Sequence, residues 1–284
     1  SKLLAAAQPS SILTYDVGTI ERLQEEKLGC GVIFHLLVRE EKIFVASTNG
    51  ILVLDEDSLK LIRVLEAHDA PVIDLAWSGG FLYSGSTDDV LIAWDVNRGV
   101  PVGRSKLRYD GIRSVHADGE AIFGGTDTYA LYKWKARSIT QKPSLLGKKI
   151  GPVGAYHFTV DADDAYIHVS ESDKDGSTIR MMDRASLEYV NADRVKFWTQ
   201  EVLSDDHYIY IVHDSTCLVL DKFSFAQVKE VGASDPSVAP ALKTASRIAR
   251  PPAVRVGRSR NVIAQFLPRE LDQLEKRGLA RSRG

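Results

Sequence analysis

The sequence predicts an all-β protein, a β-propeller of four-stranded antiparallel blades, with seven blades favoured over six. Two observations carry this. One corner motif recurs along the chain, and its copies lie about one blade apart. Between the copies run short apolar or alternating stretches, punctuated by Gly, Asp, Asn and Ser, which read as strands of about five to seven residues. A single four-stranded blade leaves both faces uncovered; stacking blades radially buries those faces and protects most edges.

The motif is an apolar strand, an Asp, two variable residues, a Ser or Thr, and an apolar residue. In chain order the copies are Ile12-Leu13-Thr14-Tyr15-Asp16 with Thr19 and Ile20, then Ile51 to Asp55 with Ser58 and Leu59. Leu91-Ile92-Ala93-Trp94-Asp95 is read with one extra residue before Gly99, and Leu131-Tyr132-Lys133-Trp134 has Lys135 where the Asp belongs. Met181-Met182-Asp183 with Ser186 and Leu187, and Leu218 to Asp221 with Ser224 and Phe225, complete the set. Asp16, Asp55, Asp95, Lys135, Asp183 and Asp221 are spaced by 39, 40, 40, 48 and 38 residues.

One unit reads in full, with strand a at Pro71 to Trp77, b at Phe81 to Ser84, c at Val90 to Trp94 and d at about Val100 to Leu107. Gly79-Gly80 makes its a–b turn. The chain opens on a strand b near Leu3 to Ala7, so either residues upstream or the C-terminal part must supply the strand a of that blade. A seventh copy of the pattern runs Val256 to Phe266 with its corner at Leu267, although Pro268, Leu271, Leu274 and Gly278 also suit a short helix. The expected organisation is a propeller over 1–271, its last blade at 232–271, and a basic extension over 272–284.

The unit from Ala67 to Asp95 resembles a WD40 repeat, specifically so in this blade and loosely elsewhere; propellers related to quinoprotein dehydrogenases share a similar corner. The resemblance implies a structural hydrogen-bonded network of a His before strand a, a Ser in strand b, an Asp in the b–c turn and a Trp in strand c. Here these are His68, Ser84, Asp88 and Trp94. It also implies binding of peptides or protein edges on the face made by the d–a and b–c loops. Those loops contain Asp69, Arg108, Tyr109, Asp110, Lys148, Lys149, Lys196 and Trp198. An exposed aromatic flanked by charges suits a contact hot spot, although a core position is the favoured reading for Trp198.

Composition bounds the rest. The chain has 284 residues, 44% of them hydrophobic and 26% charged, and its apolar runs fall far short of the ~20 residues of a membrane-spanning helix. The run Leu3-Leu4-Ala5-Ala6-Ala7 reads as a strand rather than the remnant of a signal peptide. Cys30 and Cys217, each within an apolar segment, read as buried free thiols in a reducing compartment, and the expected location is cytoplasmic.

Net charge is −2, but residues 242–284 carry eleven Lys and Arg against three acids. Arg247, Arg250, Arg255, Arg258 and Arg260 in this segment suit RNA, an acidic protein partner, or the acidic body of the same chain.

Other candidate chemistry gives way to structural readings. His35, His116 and His157 fall on inner strands and would form a metal or acid–base set only by convergence from separate blades; a hydrogen-bonded structural role is the favoured reading. Glu171 to Ser177 resembles the first half of an Asp-rich calcium loop, yet Ile179 and Met182 fall where later ligands belong, which favours a tight turn. No phosphate-binding Gly-rich loop and no nucleophile elbow occurs. The sequence therefore predicts a non-catalytic scaffold without cofactor or metal that binds protein partners through one loop face; a nucleic-acid-associated factor and a propeller enzyme with a channel site are the alternatives.

Overall fold

The computed structural model describes residues 2–7, 10–16, 22–128, 130–136, 144–145, 157–173, 175–186, 188–199, 201–213 and 216–231. These residues form six antiparallel sheets and no helix. The first sheet has three strands, β1 (Lys2–Ala7), β2 (Ser11–Asp16) and β3 (Arg22–Lys27). The second runs β4 (Ile33–Arg39), β5 (Lys42–Ser47), β6 (Gly50–Asp55), β7 (Leu61–Leu65), and the third β8 (Val72–Ser78), β9 (Phe81–Ser86), β10 (Val90–Asp95), β11 (Val100–Lys106). The fourth has β12 (Ile112–Ala117), β13 (Ala121–Thr126), β14 (Leu131–Lys135) and β15 (Ser144–Leu145). The fifth contains β16 (His157–Ala162), β17 (Tyr166–Asp173), β18 (Gly176–Asp183), β19 (Tyr189–Val195), and the sixth β20 (Glu201–Ser204), β21 (Tyr208–His213), β22 (Thr216–Asp221), β23 (Gln227–Val231).

Every marker residue of the repeat closes the strand before the last of its sheet, and local chemistry explains why. The Asp55 carboxylate accepts from the Ser58 amide at 2.8 Å and its hydroxyl at 2.6 Å; Asp221 holds Ser224 at 2.9 and 2.7 Å, and Asp183 holds the Ser186 amide at 2.6 Å. Such side-chain-to-backbone bonds turn the chain where a strand would otherwise continue. Four residues after the Asp, the backbone turns left-handed at Leu59, Gly99 and Phe225, with φ of 59°, 71° and 57°, and each amide donates to the carbonyl of its own marker. The returning strand enters through a β-bulge in the five sheets whose marker is an Asp, the last shift falling between Val219 and Leu220.

The extra residue expected before Gly99 is absent. Gly99 occupies the place of Leu59 and Phe225, and Trp94 pairs with Pro101 as Leu54 pairs with Leu61. The corner at Lys135 lacks the carboxylate, and among the described residues its outer strand β15 pairs with Tyr132 and Lys133.

The sheets pack face to face in sequence order. β4 touches β8, β8 touches β12, β12 touches β16 and β16 touches β20, while β1, the first strand of the three-stranded sheet, touches β4. Separate apolar cores fill the gaps: Ile12, Ile33 and Leu36 between the first two sheets, Phe44, Leu75 and Trp94 between the next two, then Tyr83, Ile112 and Trp134. Phe123 with Val160, and Met181 with Ile209, continue the series. Burying each such side chain stabilises by about 1.5–3 kcal/mol. A small residue lets the third and fourth sheets approach, since a Cβ at Gly85 would sit 2.5 Å from Ile112; Gly124 makes room within its own sheet for the Trp134 ring, which would lie 2.6 Å from a Cβ there.

On the face of the a–b turns, polar contacts repeat as regularly. Asp118, Asp163 and Asp205 each follow an inner strand and cap the next turn, Asp118 accepting the Glu120 and Ala121 amides at 2.8 and 2.9 Å. The other oxygen of Asp118 takes Arg184 from the fifth sheet at 2.6 Å, and that of Asp163 takes Lys222 from the sixth at 2.6 Å. Both cations follow a corner Asp, and both also bond a turn carbonyl of their own sheet, Asp163 and Asp205 respectively.

The expected last blade at 232–271, the short helix and the extension at 272–284 lie outside the described residues.

Candidate interaction face

Antiparallel pairing puts the d–a loops and b–c turns at one end of the sheets, and hydrogen bonds tie them together there. In the third sheet His68 Nδ1 lies 2.9 Å from Asp88 Oδ2 and His68 Nε2 2.7 Å from Ser84 Oγ, which also accepts from Trp94 Nε1 at 2.8 Å. Asp88 takes the Asp69 amide at 2.9 Å and the Val90 amide at 3.0 Å as well. The four residues thus form one chain from the loop to the sheet core. Burial would raise the Asp88 pKa, but the hydrogen bond and charge of His68 and the two amides outweigh it and bring the group down to about 2.

The fourth sheet solves the same problem differently. Gly124 stands where Ser84 would be, so Trp134 Nε1 donates instead to Ser105 Oγ of the preceding sheet at 2.8 Å. The loop 107–111 is held by Asp89, whose carboxylate accepts the Tyr109 amide at 3.1 Å and the Asp110 amide at 3.0 Å. Asp89 and Tyr109 both have left-handed backbones, with φ of 69° and 56°. An aromatic residue in that region is held at a cost of about 1–3 kcal/mol, offset here by two amide-to-carboxylate bonds worth about 1.5–3 kcal/mol each. The strain presents the ring: Tyr109 is 84% exposed, with the Arg108 guanidinium 5.8 Å from its centroid. Asp110, by contrast, is buried and engages the Thr128 amide and hydroxyl, both at 3.0 Å, so it positions the loop.

Trp198 is 52% exposed, not a core residue, and stands between exposed Lys196 and buried Thr199. Thr199 anchors this loop: its amide donates to Ser177 Oγ at 2.8 Å and its hydroxyl contacts Ser170 and Ser172. Phe197 stacks on His213 at 3.6 Å. Asp69 and Arg108 are exposed on the same face. Lys148, Lys149, Arg247, Arg250, Arg255, Arg258 and Arg260 lie outside the described residues.

On the inner strands His35 and His116 take the hydrogen-bonded structural role the sequence favours, with partners, Asp74 and Asp161, that the sequence did not indicate. His35 Nδ1 lies 2.5 Å from Asp74 Oδ1 on the next sheet, and Asp74 Oδ2 accepts the Val115 amide of the sheet after that at 2.8 Å. The device recurs: His116 Nδ1 lies 2.8 Å from Asp161 Oδ1, while Asp161 Oδ2 accepts the Ser204 amide and hydroxyl at 2.9 and 3.0 Å. Each His–Asp pair therefore connects three consecutive sheets. The side chain of His157 is outside the described residues, and among those described no group of three or more His, Cys, Asp and Glu is placed to hold a metal. The calcium-like stretch is a tight turn: Asp173 accepts from Arg194 and the Asp175 amide, and Gly176 has φ 137° with Val195 O 2.2 Å from where a Cβ would stand. Cys30 and Cys217 are buried free thiols, and no described helix is long and apolar enough to cross a membrane.

No protein-family model and no curated protein matches the chain. Among solved structures it is similar to the crystal structure of the computationally designed Ika8 protein, with a TM-score of 0.61 over 81% of this chain and 83% of that one at 14% identity. A likeness at that identity speaks to fold alone.

Proposed function

We propose that the six sheets are consecutive blades of a WD40-like propeller, and that the chain is a non-catalytic scaffold whose loop face, carrying Tyr109 and Trp198, binds a protein partner. The sequence-order packing of inner strands and the chain from His68 through Ser84 to Trp94 support the blade reading. One observation carries the functional reading: Asp89 holds a strained loop that turns the Tyr109 ring almost wholly to solvent. Strain is kept where it serves a site, and Tyr and Trp are the side chains most often dominant in protein recognition. The inner-strand His–Asp pairs support a non-catalytic role, because they join neighbouring sheets.

Photo-crosslinking tests this. A photoreactive residue at position 109 or 198 should give a discrete adduct in cells that survives nuclease treatment, and one at position 57, on the opposite face, should not. Loss of the adduct to nuclease assigns the face to nucleic acid; no adduct from 109 or 198 rejects the binding face.

A further inference from the structure

We infer that β7 is a pairing edge at which two copies of this chain join antiparallel, giving a two-fold dimer through the second sheet. Among the described residues β7 stands at one end of its sheet. It holds three branched aliphatic side chains in the open: Leu61, Ile62 and Val64 are 54%, 47% and 39% exposed. An outer strand offers backbone donors and acceptors along its free side, and proteins block such edges with charges, Pro or bulges where pairing is not wanted.

The other end strands show that blocking. β3 carries Glu25 and Glu26, β11 carries Pro101 and Lys106, β19 carries Asp193 and β23 carries Lys229. All of these strands and β7 enter through a bulge, so the bulge does not set β7 apart. The one charge within β7 is Arg63, and its guanidinium lies over the corner of the third sheet, where a Cβ at Gly99 would meet Arg63 Nη1. The aliphatic residues are what β7 presents.

Charge identifies the occupant as a second copy. Lys60 and Glu66 flank the strand, both exposed and equally far from Arg63. An antiparallel pair centred on Arg63 sets Lys60 opposite the partner's Glu66 at both ends, and Ile62 opposite the partner's Val64 twice. The same patch serves on both chains, so the contact closes as a dimer. Main-chain bonds across the edge supply the affinity, and the flanking charges fix the register. The paired stretch, 60–66, leaves out the Asp55 corner and the loop face with Tyr109, so the inference is independent of the reading of that face.

Sedimentation of the full chain tests this. The native chain should run as a dimer at about 100 µM, where a Kd near micromolar leaves mostly dimer; a monomer there overturns the inference. Lys60→Glu and Glu66→Lys each turn both opposite-charge pairs into like-charge pairs, and each should raise the dimer Kd about tenfold. Mixing the two variants restores opposite charges at both ends, and the mixed dimer should recover a Kd within about threefold of the native one. A Kd unchanged in the single variants, or a mixture no tighter than its components, overturns the inference. Recovery on mixing cannot come from a variant that has failed to fold.

Discussion

Lys222 bonds the Asp163 carboxylate at 2.6 Å from the neighbouring sheet, repeating the geometry by which Arg184 reaches Asp118 one sheet earlier. The Lys222 ammonium is buried, and it also donates to Asp205 O at 2.7 Å. Burial would raise the carboxyl pKa of both Asp118 and Asp163, but the cation and the turn amides outweigh it and hold both below the usual range.

Removing one member of such a pair leaves the other desolvated and unpaired, at about 3 kcal/mol. Lys222→Met should therefore lower stability by about that amount in urea unfolding. Combining it with Asp163→Asn should cost less than the sum of the two single changes, because each alone strands its partner.

Ser84 accepts from Trp94 Nε1 and meets His68 Nε2. Ser84→Ala should destabilise by about 2–4 kcal/mol, since two buried polar groups lose their partner. Thermal melts of this variant and of Ser105→Ala, which strands only Trp134 Nε1, should rank Ser84→Ala as the more damaging.

His168 is buried and neither ring nitrogen has a described hydrogen-bond partner. Burial pushes its pKa down to about 4, against the pull of Asp161 and Asp163 and with the help of Lys222 and His116. Between about 6.5, the value in an unfolded chain, and 4, the unfolded state takes up a proton that the folded state refuses. The stability from neutral His168 is thus present above pH 6.5 and fades as pH falls toward 4, by roughly 3 kcal/mol in all. His168→Leu should lose correspondingly less stability than the native chain over this range, measured by urea midpoints at pH 7.5 and 4.5.

Glu40 and Glu41 form the two-residue turn between β4 and β5 with φ of 52° and 57°, the positions that Gly79 and Gly80 fill one sheet later. Paired left-handed residues favour Asn-Gly. Glu40→Asn with Glu41→Gly should stabilise the protein by about 1–2 kcal/mol, seen as a higher melting temperature.

What the sequence disclosed was local. The corners were legible because Asp, Ser and the left-handed residue after them act within five positions, and the third sheet's strands fell within two residues of their expected bounds. The His68 to Trp94 chain was accessible through family resemblance. The pairs His35 with Asp74 and His116 with Asp161 were not, because their partners lie about one sheet away in sequence and no spacing rule marks them. The polar ladder on the a–b turn face did leave a signal, an Asp after strand a and a base after the corner Asp of the following sheet, as in Asp118 with Arg184 and Asp163 with Lys222. The exposure of Tyr109 depends on a backbone reversal set by Asp89, twenty residues upstream.

The most direct test of the loop face is the affinity of the chain for the partner crosslinked through position 109, compared with that of Tyr109→Ala by titration calorimetry. Tyr109 as the anchor predicts that Kd rises about 30-fold or more, an anchoring aromatic contributing about 2 kcal/mol, with the melting temperature no lower. A Kd within twofold of the native value would contradict the claim that this strained loop exists to present the ring.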